Sequence, residues 1–470
     1  MDNCNLMQMT KKPDRAKFLI DLESTVEHFI DYSNNNYNNI ILISHNDADG
    51  ISCLQLIQNL LHKMKMSNDY FIYNRSVSWE NFLNGILAKH QSNKTALIFT
   101  DVGSNLNDLL PIINQRKEHF YILDHHEVES PFNFNSQPEN LHFINPTLYG
   151  FDGLDHIAGA TLTHMFVTSI DPALIKYGWL TVIGIAGDSL RSMDKLQSFN
   201  KEVYQQILEE EIVEDKEGLI LFGSMHDTIK NSLKNSILPF IPGFSGESDS
   251  HIKSQLNSMQ IDANKKLVDI DEAEKKKLLE IPKIKIGKYS YLPFKTGILK
   301  FAFEHALLLN ILSFKNISAA ISIMRQKSVT RYAKSIYNDY VSDLALNMKK
   351  LLNDSSKYET ENSIFIDAGD GKIPPSNWSD TASFSMVNEL YDPKKMLFLG
   401  GLEKKTQMIK LSIRCSRKFL KKHKNGGVNE VIAKIKHELG GNGGGHKLAG
   451  GIRLSQASFK HLKQYIDKYF

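Results

Sequence analysis

Eight side chains able to bind a cation or carry a proton stand in four short stretches of the first 190 residues. They are His45, Asp47 and Asp49 (residues 40–50), Asp101 (96–101), Asp124, His125 and His126 (120–126), and Asp188 (182–188). Carboxylate and imidazole together suit hard to borderline divalent ions, with Mn²⁺ a natural occupant and Mg²⁺ or Zn²⁺ as alternatives. That many carboxylates can hardly converge without a cation, because like charges disfavour one another's ionised form. Two ions about 3.5–4 Å apart, sharing an oxygen ligand, stabilise both the attacking and the leaving oxygen of an in-line phosphoryl displacement. The chemistry implied is phosphoester hydrolysis at a di-metal centre.

Each of the four stretches ends an apolar run rich in β-branched or aromatic residues, which predicts strands buried on both faces of a parallel sheet. In such sheets the carboxyl ends of the strands line one crevice, where ligands bind. His45, Asp47 and Asp49 alternate with period two, so an extended segment aims all three the same way. Gly50 then permits a tight turn into a helix expected from Ile51 onward. Asp101, on a strand of its own, is placed to bridge two ions, and His125 and Asp188 complete the second. A lone Asp after a strand is commonly a helix cap or turn residue. The specificity lies in the ordered set.

That set resembles the DHH phosphoesterase superfamily, named for the triplet Asp124-His125-His126. The resemblance implies one ion held by His45, Asp47 and Asp101, and another by Asp49, Asp101, His125 and Asp188. It implies that His126 polarises a phosphate oxygen and that Asp124 supports a ligating histidine. Several members carry the first-motif histidine four residues before the first Asp. Here Ile43 holds that position and His45 stands two before.

A second signal lies near the C-terminus, where residues 440–451 read GGNGGGHKLAGG. Bare glycine backbone lets successive N–H groups approach an anion, and His446 and Lys447 add donors. No Gly-Lys-Ser/Thr follows, so this is not a P-loop. Just upstream, residues 409–415 alternate as a strand should, with Ser412 and Arg414 opposite Leu411 and Ile413. Arg suits bidentate phosphate recognition. The stretch resembles the glycine-rich motif of the DHH-associated C-terminal domain, which implies nucleic-acid contacts by Gly443, Gly444, Gly445 and His446 together with Ser412 and Arg414. The cationic run at 417–424 adds candidate phosphate-backbone contacts.

With 470 residues, 41% hydrophobic and 23% charged, the chain reads as two or three globular domains. A net charge of +3 is too slight to argue nucleic-acid binding by itself. Cys4, Cys53 and Cys415 form no Cys-x-x-Cys pair, which speaks against a disulfide framework or zinc ribbon and for a reducing cytoplasm. A polar opening stretch and the lack of any apolar run of about 18 residues predict no leader and no membrane span.

The expected fold class is α/β: a helix at 14–33, a doubly wound parallel-sheet domain at 34–210, a helical insertion and connector at 211–358, and a smaller α/β domain at 359–470. Residues 239–246 and 306–310 resemble stretches of archaeal RecJ-like nucleases, some of which associate with the GINS replication complex. The function expected is therefore a metal-dependent exonuclease on single-stranded DNA or RNA, in replication or repair. A nano-RNA or cyclic-dinucleotide phosphodiesterase and a replisome scaffold remain the alternatives, the last because the superfamily includes a degenerate relative in the eukaryotic replicative helicase.

Overall fold

Strand β1 (Asn39–Ser44) shows why a parallel sheet forms: five of its six residues are buried, and in β3 (Thr95–Thr100) all six are. A strand covered on both faces must be apolar throughout rather than alternating. The computed structural model describes residues 13–33, 37, 39–73, 77–90, 94–128, 137–153, 155–189, 193–223, 226–354, 357–423 and 426–470. Residues 34–36, which open the expected parallel-sheet domain, Lys424, Cys4 and the polar opening at 1–12 lie outside them. Among the described residues, no helix is long and apolar enough to cross a membrane. The chain divides into two compact units, Met1–Gly218 with Gly287–Ile336, and Leu219–Ile286 with Tyr337–Phe470.

The first unit opens with α1 (Arg15–Ser33), then β1, α2 (Ala48–Lys63), β2 (Asn68–Ile72), α3 (Trp79–Leu87), β3, α4 (Leu106–Ile113), β4 (His119–Leu123) and β5 (Leu141–Ile144). Helices α5 (Gly159–Ile170), α6 (Gly178–Ser189) and α7 (Ser198–Glu209) follow. All five strands are parallel, in the order β2-β1-β3-β4-β5. The order reverses between β1 and β3, and that switch point leaves a crevice at the strands' carboxyl ends. One sheet face buries Ile41, Ile43, Leu97, Phe99 and Ile122 against Trp79, Leu83 and Leu109 of α3 and α4. The other carries α1, whose Phe29 meets Tyr121 of β4 edge-on, so the sheet is doubly wound as expected.

Three local expectations are corrected. Residues 182–188 are the C-terminal turns of α6, not a strand, so Asp188 reaches the crevice from a helix end. Helix α2 starts at Ala48 rather than Ile51, so Asp47 is its N-cap and Asp49 sits in its first turn instead of on an extended segment. The stretch 211–350 is not wholly helical: β6 (Glu214–Leu219) and β7 (Ile286–Tyr291) form a two-stranded sheet, and α8 (Ile229–Lys234), α9 (Asp249–Ser258) and α10 (Glu272–Leu279) lie between them in sequence. The strands escape notice because β6 reads Glu-Asp-Lys-Glu-Gly-Leu, without an apolar alternation. Helices α11 (Ala302–Lys315), α12 (Ile317–Met324) and α13 (Arg331–Leu352) complete the middle of the chain.

The second unit's main sheet joins β8 (Tyr358–Glu359), β9 (Ser363–Asp367), β10 (Met396–Glu403), β11 (Met408–Arg414), β12 (Asn442–Gly445) and β13 (Ala449–Leu454) in the order β12-β13-β11-β10-β9-β8. Helix α14 (Trp378–Val387) covers one face with Trp378 and Ala382 against Ile364, Ile366, Leu397 and Leu399. Helices α15 (Arg417–Lys422), α16 (Val428–Leu439) and α17 (Gln456–Tyr465) cover the other, where Phe365, Phe398, Leu411 and Ile413 meet Phe419, Val431, Ile435 and Leu462.

Small residues set how closely the helices behind the first crevice approach. A Cβ on Gly184 of α6 would stand 2.4 Å from the Cβ of Ala160 in α5 and 2.5 Å from Oδ1 of Asp49 in α2. Gly184→Ala should therefore cost about 1–3 kcal/mol by overpacking, read as a lower thermal unfolding temperature. An unchanged temperature would show that α6 can move aside.

Candidate metal centre

Ser44 ends β1 and ties its carboxyl end to α2 by donating from Oγ to the Gly50 carbonyl at 2.7 Å. A Cβ at residue 50 would lie 2.4 Å from the His45 carbonyl oxygen, so this turn admits only glycine. Asp47 divides its carboxylate: Oδ1 accepts the Gly50 N–H at 2.9 Å as a helix cap, and Oδ2 stands 2.5 Å from His45 Nδ1. Asp49, 2% exposed, accepts from Gly159 N–H (Oδ2) and Ala160 N–H (Oδ1), both at 2.8 Å. These are the first amides of α5, where the helix dipole favours an anion. Burial, reinforced by Asp101 and Asp188, nevertheless pushes the Asp49 carboxyl well above its ordinary range.

Asp101 is the hub. It is 1% exposed and adopts φ +59°, the left-handed region that Asp tolerates better than most residues. Its Oδ1 lies 3.0 Å from His125 Nε2, and its Oδ2 3.6 Å from His45 Nδ1. Burial alone would raise its pKa, but His125 and His45 outweigh burial and hold it well below the carboxylate range.

The triplet that follows β4 is wired by its own backbone. Asp124, 1% exposed, accepts from the Ser104 N–H at 2.8 Å, from the His125 N–H at 2.8 Å and from His126 Nδ1 at 2.7 Å. His125 donates from Nδ1 to the Gly153 carbonyl at 2.7 Å, which turns Nε2 toward Asp101 and, at 3.8 Å, Asp49. Such a carbonyl partner selects the tautomer that leaves Nε2 as the ligand atom. Burial opposes charge on His125, yet Asp188, Asp101 and Asp49 together hold its pKa well above the ordinary value. Burial pushes Asp188 up to about 6, with Asp101 and Asp47 adding to it and His125 opposing.

In this crevice, among the described residues, three groups each bring potential ligand atoms within 4.8 Å of one another: His45, Asp47 and Asp101; Asp49, His125 and Asp188; and Asp101, Asp124, His125 and His126. The first two hold the six side chains that the resemblance assigns to the ions; Asp101 stands in the first and third groups and not in the group of Asp49, His125 and Asp188. Five carboxylates share this space with three imidazoles, so with every acid ionised even three imidazolium ions would leave negative charge, and the raised Asp49 and Asp188 are the response to that excess. Oδ2 of Asp101 and Oδ2 of Asp188 are buried and accept no hydrogen bond, a costly state unless a cation takes them. The donor set thus fits divalent-cation binding. Residues missed at the sequence level are backbone or small: the Gly159 and Ala160 amides, the Gly153 carbonyl, Ser104, and Asn310, whose Oδ1 accepts the Ala48 N–H at 2.7 Å. A small pair opening a helix, as Gly159-Ala160 does, is the signal that could have revealed the first two.

The C-terminal candidates form a different picture. The glycines are not a loop but the edge strand β12, pairing Gly443, Gly444 and Gly445 with Ile452, Gly451 and Gly450. A Cβ on Gly443 or Gly445 would strike β13 backbone at 2.3–2.4 Å, whereas one on Gly444 meets nothing within 4 Å. His446, in the turn after β12, is exposed. Ser412 is 5% exposed, and Arg414 lies on the α14 side of β11. The Arg414 guanidinium donates to Ser383 Oγ (2.8 Å), Ser379 Oγ (2.7 Å) and the carbonyls of Ile413 and Gly450. Burial lowers its pKa to about 10.

No protein-family model matches the chain. The uncharacterized protein MJ0831 of Methanocaldococcus jannaschii is 24% identical over 444 residues, spanning 92% of this chain and 94% of that one. Among solved structures, CDC45 from Entamoeba histolytica aligns with a TM-score of 0.68 at 12% identity, over 96% of this chain and 98% of that chain. A DHH-domain structure described as a member of a family of ribosomal proteins aligns at 0.58 and 12% identity, over 96% and 91%. RecJ in complex with Mn²⁺ from Thermus thermophilus aligns at 0.52 and 14% identity, over 96% of this chain and 54% of that chain. At such identities the likeness is one of fold.

The raised Asp188 has a consequence for stability. A folded-state pKa near 6 against about 4 in the unfolded chain means that stability falls as pH rises from about 4 to about 6. Without divalent ions, Asp188→Asn should be more stable than the parent at pH 7 by about 1–2 kcal/mol, and no more stable at pH 4. Mn²⁺ should reverse the order at pH 7. Urea denaturation in EDTA and in Mn²⁺ measures both, and a variant less stable in EDTA at pH 7 would contradict the assignment.

Proposed function

From the DHH-type α/β fold that the chain shares with RecJ and CDC45, we propose that it is a metal-dependent phosphodiesterase that degrades single-stranded DNA or RNA from an end. The observation that carries this reading is the pair of ligand groups, His45 with Asp47 and Asp101 and Asp49 with His125 and Asp188, the atoms of each within 4.8 Å, with Asp101 of the first 3.0 Å from His125 of the second. In this reading His45, Asp47 and Asp101 hold one ion, and Asp49, Asp101, His125 and Asp188 the other. Mn²⁺ is the leading candidate, with Mg²⁺ as the alternative. Two such ions supply neutralisation of phosphate oxygens and a water nucleophile available near neutral pH, so no separate protein base is required.

The chain's own residues do the rest. Asp101, clamped by its backbone N–H on the Leu123 carbonyl at 2.9 Å, offers one oxygen to each ligand group. Asp124 anchors the His126 ring through Nδ1, and in the imidazolium form Nε2–H would be the donor for a non-bridging phosphate oxygen. Residues 359–470 are proposed as the strand-binding domain. Of Gly443, Gly444 and Gly445, Gly444 is the one whose bareness packing does not require, and His446 and Ser412 add polar contacts. Arg414 would reach a phosphate only by giving up its serine and carbonyl partners.

Work at the replication fork, with a GINS-type complex as partner, extends this proposal. The stronger fold likeness to CDC45 than to RecJ, 0.68 against 0.52, favours a replication scaffold as the second reading. A dinucleotide phosphodiesterase is the third.

Single strands labelled at either end, DNA and RNA, incubated with Mn²⁺ beside a dinucleotide control, separate the three. Stepwise loss of long strands is expected, with polarity read from the label, and Asp101→Ala should abolish it. Cleavage of the dinucleotide alone would move the chain to the small-substrate class, and no cleavage at all would favour the scaffold. Gly444→Val should raise KM for single strands while leaving the unfolding temperature unchanged. Arg414→Ala should lower that temperature as well; a lowered temperature with an unchanged KM would make Arg414 purely structural.

A further inference from the structure

On the sheet face that carries α1, three histidines from three elements meet: His28 of α1, His119 opening β4, and His142 of β5. The parallel register sets His142 beside Tyr121, and period two puts Tyr121 on the same face as His119. Each histidine offers a ring nitrogen within 4.8 Å of the other two. His119 Nδ1 and His142 Nε2 are 3.2 Å apart. The edge of a tetrahedron built on Zn–N bonds of about 2.0–2.1 Å is roughly 3.3 Å. One edge of a coordination shell is therefore already present. The His28 ring stands 3.8 Å from the His142 ring, tilted by 33°.

The surroundings suit an ion. His28 Nδ1 hydrogen-bonds the Tyr121 hydroxyl at 2.8 Å, and that hydroxyl meets the Tyr37 hydroxyl at 2.7 Å. A partner on Nδ1 fixes the ring and leaves Nε2 as the ligand atom, the arrangement usual for metal-bound histidine. All three histidines are half-buried, so an ion can reach them from solvent. Burial lowers the pKa of each, and that of His142 to about 3. Near neutral pH each ring is therefore neutral and keeps one lone pair; the His119 Nδ1–His142 Nε2 contact is a hydrogen bond, whose proton would move to the donor ring's other nitrogen when an ion takes its place. The group holds nitrogen donors alone, unlike the carboxylate-rich crevice. Imidazole suits Zn²⁺, Cu²⁺ and Ni²⁺, whereas Mg²⁺ and Mn²⁺ prefer oxygen. His119 begins β4 and Asp124 follows its end, so the two clusters lie roughly 16 Å apart along one strand at 3.3 Å per residue.

We propose that His28, His119 and His142 form a transition-metal site selective for Zn²⁺ or a similar borderline ion, separate from the crevice, which fastens α1 to β4 and β5. Solvent water completes the shell. The ion has no substrate to act on there; its work is to cross-link a helix to two strands distant in sequence.

The test is Zn²⁺ titration by calorimetry of the full chain in excess Mg²⁺, which occupies the oxygen-rich crevice. Electron paramagnetic resonance of the Cu²⁺-loaded protein accompanies it. One Zn²⁺ equivalent should bind, raise the unfolding temperature, and disappear in His142→Gln. The Cu²⁺ spectrum should show superhyperfine splitting from three nitrogens, reduced in His28→Gln and in His119→Gln. Should His142→Gln fail to fold, these two variants carry the test. An Asp101→Asn chain should keep the Zn²⁺ equivalent. Zn²⁺ stoichiometry equal in parent and histidine variants, its loss in Asp101→Asn, or no uptake by the parent would each overturn the proposal.

Discussion

The constraint on which the first unit turns is the repulsion among carboxylates that have been taken out of water at one edge of a sheet. Asp49 and Asp101 are almost wholly buried, and Asp188 keeps an oxygen sealed from solvent. Their responses differ in sign: burial and like charges push Asp49 and Asp188 up, while histidine neighbours hold Asp101 down. A site that splits its acids in this way is tense without a cation and relaxed with one. The strained backbone at Asp101 is in keeping with that, since residues held at unfavourable φ persist only where the surroundings over-determine them.

Holding those charges together requires close approach by three helices, and the helices are built for it. Gly159 begins α5 directly against Asp101, and a Cβ there would stand 2.9 Å from its carboxylate oxygen. Gly184 and Gly187 let α6 lie against α5 and α2. The same closeness gives Asp49 two helix-terminal amides in place of water. Backbone donors cost no side-chain entropy, and at a helix N-terminus they come with a favourable dipole. The small residues are therefore as much a part of the charge distribution as the acids.

Much of this was legible in the chain, and the exceptions have physical reasons. The runs before His45, Asp101 and Asp124 are strands, because fully buried parallel strands are apolar end to end. Helix α6 is also buried on all sides, and a buried helix shows no amphipathic period, so residues 182–188 imitate a strand. The first motif alternates with period two, yet the Asp47 cap starts α2 early; capping residues mark helix starts more sharply than alternation marks strands. The glycine strand β12 was legible as a motif but not as a strand, since residues without side chains carry no alternation. Arg414 sits on the predicted strand face, but no local pattern could foretell that α14 would cover that face and take up its donors. The amides of Gly159 and Ala160 left only the faint signal of a small pair opening a helix, and the Gly153 carbonyl left none, because backbone groups have no letter in a sequence.

The six histidines of the two clusters show how context, not residue type, decides what an imidazole does. His119 and His125 belong to the same strand and its exit. Around His119 there is no carboxylate in the ligand group, burial is the only strong influence, and the ring stays neutral. Around His125, three acids overcome a deeper burial and favour its charged form. A neutral trio of nitrogens and a carboxylate-rich trio select different ions by the softness of their donors. Under the two metal assignments proposed above, one parallel strand would separate a borderline ion at its start from harder ions at its end, by the residues placed at each edge.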